Sequence, residues 1–78
     1  MNEPQVGSIL LIGYYSECSS EQQIINPGYY IVIDIVIILG IKRYILDRNV
    51  WQCFSPLAAT NNCLTQINLP YYCKKVIN

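Results

Sequence analysis

The sequence predicts a mainly α protein, with a single transmembrane helix at residues 29–46, then a short amphipathic helix and an irregular tail. Three observations lead there. Residues 29–41 form an apolar run broken only by Asp34 and Gly40. Over the whole chain 53% of residues are hydrophobic and 13% are charged, a charge-poor balance for a free soluble domain. All five basic residues lie at or beyond the end of the run, while Glu3, Glu17 and Glu21 precede it. The competing class is a small soluble α+β domain with two apolar strands, because Ile and Val suit a buried strand as well as a membrane helix.

Seventy-eight residues allow one small domain, divided here into three zones. Residues 1–28 are a polar N-terminal segment carrying a short apolar run, Val6 to Tyr15, which is too short to span a bilayer as a helix. The start, Met1-Asn2-Glu3-Pro4, is acidic where a secretory signal would be basic. Ser16 onward reads as polar linker, closing in the turn signal Asn26-Pro27-Gly28. In the α+β alternative, Val6 to Tyr15 and Tyr29 to Leu39 are the two core strands.

Residues 29–46 are the candidate transmembrane helix. At 1.5 Å per residue, 29–46 covers ~27 Å, close to the ~30 Å hydrocarbon core once Lys42 and Arg43 snorkel to the interface. Tyr29, Tyr30 and Tyr44 sit where interfacial aromatics belong. The Ile, Val and Leu residues supply a few kcal/mol toward insertion, roughly −0.3 to −0.6 kcal/mol each with a discount near the ends. Asp34 opposes them by about 2.5 to 3.5 kcal/mol. The near-zero sum predicts a helix that gains from a protein neighbour, with Asp34 as the assembly residue.

Residues 47–78 are an amphipathic helix and a Cys-containing tail. Leu46, Val50, Cys53, Phe54 and Leu57 share one helical face, and Arg48, Gln52 and Ser55 lie opposite. Pro56 should end that helix near Ser55, and Trp51 would lie at headgroup level. The positive-inside rule then places the N-terminus outside and the C-terminus in the cytoplasm or its equivalent, with Cys18 across the bilayer from the other three cysteines. The alternative localisation is soluble, in a reducing compartment.

Cys53, Cys63 and Cys73 are evenly spaced with nine residues between neighbours. This resembles the C-x9-C spacing of intermembrane-space helical-hairpin proteins. That family puts two separate pairs on two helices, whereas here the central cysteine is shared and Pro70 interrupts the second interval. Its function is not carried over. Four cysteines allow three full pairings, and free, buried thiols are the simpler expectation.

Catalysis is not expected. The chain has no histidine, which removes every triad, base or metal site that needs imidazole. Its five carboxylates form no D-x-D or E-x-x-E pair, and no phosphate cradle, nucleophile elbow or C-x-x-C is present. No catalytic, metal-binding or cofactor-binding residue is assigned and no cofactor is expected. Zero net charge gives no basic footprint for nucleic acid, and no small-molecule substrate suggests itself. The expected partners are a membrane and a protein or a second copy. The leading expectation is a non-catalytic structural or accessory subunit of a larger membrane assembly. The alternatives are a soluble interaction module, such as an inhibitor or adaptor, and an open reading frame without selected function.

Overall fold

Ile and Val carry two heavy atoms on Cβ, which crowds the preceding helical turn and suits a pleated strand. In the computed structural model, which describes residues 2–13, 25–52 and 61–78, the strand preference prevails. The apolar run becomes two strands of a hairpin, β2 (Gly28–Ile38) and β3 (Ile41–Leu46). Leu39 and Gly40 turn the chain, with φ of 54° and 78°. Two positive φ values in a two-residue loop are the mirror-image turn whose twist matches that of paired strands.

The other strands are β1 (Ile9–Ile12), β4 (Cys63–Thr65) and β5 (Cys73–Ile77), with a one-turn helix α1 (Leu69–Tyr72) before β5. The sheet order is β4-β3-β2-β1-β5, and every neighbouring pair is antiparallel. Strands β1 to β4 form a meander. The chain then returns through α1 to pair β5 with the far side of β1, where Gly13 N–H donates to Tyr72 O at 2.9 Å.

One bulge sets which side chains face inward. Val32 pairs with Leu46 and Asp34 with Ile45, so Ile33 is the extra residue. Before the bulge Tyr30 and Val32 are buried. After it the phase shifts, and Ile35, opposite the buried Tyr44, packs on the core. The inner face of the sheet contributes Leu10, Ile12, Tyr30, Val32, Tyr44, Leu46, Leu64 and Val76 to the core, joined by Ile25, Val50 and Leu69.

The segment after β3 is anchored by polar contacts rather than by a helical stripe. Arg48 donates to Tyr29 O at 2.7 Å and lies 4.0 Å from the Tyr30 ring centroid, a cation–π geometry. Gly28, at φ 144°, leaves room for it, since a Cβ there would stand 2.8 Å from Arg48 Nη2. The buried Tyr30 hydroxyl donates to Asn26 O and lies within hydrogen-bond reach of Asn49 O. Trp51 bridges to Ile25, donates from Nε1 to Cys63 O at 2.7 Å and meets Tyr72 edge-on.

These observations overturn the mainly α expectation. Among the described residues no helix is long and apolar enough to cross a membrane, so the transmembrane helix at 29–46 and the topology built on it are withdrawn. The turn at Leu39-Gly40 divides the segment, and its β-branched residues pair as strands. Tyr30 and Tyr44 are core residues, Tyr29 and Arg43 belong to the sheet, and Lys42 forms an ion pair with Glu3. None of them forms an interfacial belt. The amphipathic helix fails for a similar reason: Leu46 ends β3, and Asp47 to Gln52 bend back to the Ile25 bridge. The rest of that helix, 53–55, lies outside the described residues, as does most of the 16–28 linker. The α+β alternative has strands where β1 and β2 lie but misstates the balance, since the described residues form a five-stranded sheet with one helical turn.

Candidate interaction surface

A pleated strand sends alternate residues to opposite faces, and burial distinguishes the two faces sharply. On the inner face Leu10, Tyr30 and Val32 are fully enclosed. On the outer face cross-strand pairing builds two rows. Ile77, Ile9 and Ile31 form one, and Lys75, Leu11 and Tyr29 form the other. Ile31 is 44% exposed, Ile33 52% and Tyr29 60%, while Ile9 and Leu11 between the neighbouring strands are half-buried, so among the described residues this face is less enclosed than the inner one. Beyond the bulge, Asp34 opposes Ile45, which opposes Cys63, and Val36 opposes Arg43.

The sheet edges look different. The terminal strand β4 has only three residues, and β5 carries the exposed Lys74 and Lys75. Short edge strands and edge lysines both discourage further strand pairing. Asp34 guards a third edge. In a two-residue hairpin the flanking pair exchanges hydrogen bonds, so Ile38–Ile41 and Val36–Arg43 bond across the ladder while Ile35 turns its N–H away from β3. Asp34 Oδ1 accepts from that N–H at 2.8 Å. With these edges guarded, the apolar outer face is the candidate interaction surface among the described residues.

No family model, curated protein or solved structure matches this chain. Its chemistry is therefore read from these residues alone. An open cleft of about 220 Å³ is lined by Asn2, Glu3, Pro4, Lys42, Tyr44, Gln66 and Leu69. Glu3 and Lys42 pair with each other there, and the hydrogen bond to Glu3 raises the Lys42 pKa. Burial raises the Tyr44 pKa, so its phenol stays protonated over the ordinary pH range. That leaves the cleft lining with no activated nucleophile or free base. Among the described residues no group of three or more His, Cys, Asp or Glu could hold a metal ion.

The two described thiols are equally quiet. Burial pushes Cys63 up, partly opposed by the neighbouring Arg43 guanidinium. Burial also raises Cys73, whose Sγ donates to Lys75 O at 3.3 Å. Raised thiols are poor nucleophiles at neutral pH. Cys18 and Cys53 lie outside the described residues.

Of the residues singled out from sequence, Asp34, Tyr29 and Arg43 reach the outer face. Tyr30 and Tyr44 point into the core, and Trp51 is half-buried beside Tyr72. Sequence reasoning missed Ile9, Leu11, Ile31, Ile33, Lys75 and Ile77. The available signal was the lack of alternation in 29–39: a strand apolar at consecutive positions is apolar on both faces.

Proposed function

We propose that this chain is a non-catalytic protein-interaction module, an accessory or structural subunit that binds protein through the outer face of its sheet. The observation that carries the reading is the exposed apolar set Tyr29, Ile31, Ile33 and Ile77, joined across β1 by the half-buried Ile9 and Leu11, on a sheet whose other face is already filled. Contiguous apolar surface on a small protein marks an interaction site, and aromatic and aliphatic anchors supply most binding energy once water is excluded. The raised thiols and the self-paired Glu3 and Lys42 support a role without chemistry.

The test is the native size of the tagged chain in an extract of the cells that express it. The wild-type chain should elute in a complex well above its own 8.9 kDa, and Ile31→Lys should return it to the size of the free chain. If wild type and Ile31→Lys elute alike, the outer face is not the docking surface.

A further inference from the structure

We infer that the occupant of the outer face is a second copy of this chain, packed face to face about a two-fold axis near Ile9. This deepens the reading of that face as a docking surface and rests on it. A two-fold interface must be self-complementary, and the pair Lys75 and Asp34 on the face meets that condition. Lys75 lies beside Leu11 at one end, and Asp34 lies across the bulge on β2. They are two strands apart, about 10 Å across and about 14 Å along the strand direction. Ile9, on the intervening strand β1 and one row from Lys75, lies close to the midpoint.

A half-turn about an axis at Ile9, perpendicular to that diagonal, places Lys75 of each copy over Asp34 of the other. Ile9 then meets its own equivalent on the axis, and the Ile77–Ile9–Ile31 rows of the two copies cross there. The resulting strand crossing is close to orthogonal, one of the two geometries that twisted sheets adopt when they pack. Oδ1 of Asp34 accepts from Ile35 N–H, which leaves Oδ2 for the partner's lysine. Zero net charge means that copies meet without long-range repulsion. A dimer that fills the face also explains why guarded edges and an open apolar face coexist in one molecule.

The experiment is sedimentation of the purified full chain over a wide concentration range, with Lys75→Glu and Asp34→Lys measured alone and mixed. The wild type should form a dimer. Each variant alone should shift its dimer dissociation constant upward by at least about tenfold, because like charges then face each other twice. An equimolar mixture should dimerise again, since a heterodimer places opposite charges at both contacts. Recovery on mixing shows that neither variant is simply unfolded. A wild type that stays monomeric overturns the second-copy assignment, and so does a dimer unaffected by either reversal. The docking reading itself falls if the native size seen in extracts is unchanged by Ile31→Lys, so the two failures are distinguishable.

Discussion

At the scale of single residues, Leu39 stands out among the described residues as the non-glycine residue with a positive φ. It occupies the left-handed region at φ 54° with its side chain 94% exposed, where an L-residue with a Cβ loses roughly 1 kcal/mol or more. Asn tolerates that conformation and leads this turn type when followed by Gly. Leu39→Asn should therefore raise the unfolding free energy by about 1 kcal/mol, read from the urea midpoint. Tyr30 makes the opposite case, being fully buried with its hydroxyl tied to Asn26 O. Tyr30→Phe should lose about 0.5–1.5 kcal/mol, because the part-buried hydrogen bond to Asn26 O is lost.

Titration follows from the same burial. Burial raises Tyr30 and Tyr44 above the ordinary phenol value of 10.0, and raises Cys63 and Cys73 above the ordinary thiol value of 9.0. Groups with raised folded pKa values favour the fold fully below their unfolded values, and that contribution is lost as pH climbs through the folded ones. The urea midpoint should be steady up to about pH 8.5 and fall progressively above about pH 9 to 10. A midpoint that rises across that window would contradict the burial of these groups.

At the scale of elements, β2 shows what the sequence disclosed and what it concealed. Its apolar run was plain, and so was the anomaly of Asp34 within it. A membrane helix needed a partner for that carboxylate, whereas a strand needs only the N–H of the next residue. The bulge at Ile33 was not legible, because nothing in Val32-Ile33-Asp34 marks one as glycine often does. Leu39-Gly40 also carried a weak turn signal, since the first position lacks the usual Asn or Asp. With the turn missed, one long helix was the simpler reading of 29–46. Asp34→Ala, which leaves the Ile35 N–H open on an edge, should have two effects. Stability should drop by about 0.5–1.5 kcal/mol, and the chain should aggregate faster by thioflavin fluorescence on standing.

The stripe from Leu46 to Leu57 misled for a different reason. Leu46 and Val50 are indeed buried, but they reach the core from a strand end and from a bend. A four-residue spacing of apolar side chains arises as readily from a chain folding back on itself as from a helix.

At the scale of the whole molecule, the high apolar content was read as a membrane-spanning helix, and among the described residues no helix is long and apolar enough to cross a membrane. A sheet with a filled inner face and an apolar outer face has the same composition as a short membrane protein, and composition does not distinguish them. Pairing does, through contacts distant in sequence such as Ile9 with Ile77 and Leu11 with Lys75. No local pattern announces such contacts. The candidate surface was legible only in part: Asp34, Tyr29 and Arg43 were in view, but Ile31 and Ile33 were taken for a helix, Ile9 for part of a short apolar run and Ile77 for irregular tail.

The central claim is that the outer face is open in the folded monomer, so that its side chains contribute to association and not to folding. Adjacent positions on β2 test this directly, because Ile31 faces outward and Val32 inward. The measurement is urea unfolding of Ile31→Lys and Val32→Lys at low protein concentration. Ile31→Lys should stay folded, within about 1 kcal/mol of the wild type. Val32→Lys, which forces an ammonium into the core, should not fold. If Ile31→Lys unfolds the chain as Val32→Lys does, the outer face is part of the core and the docking account is wrong.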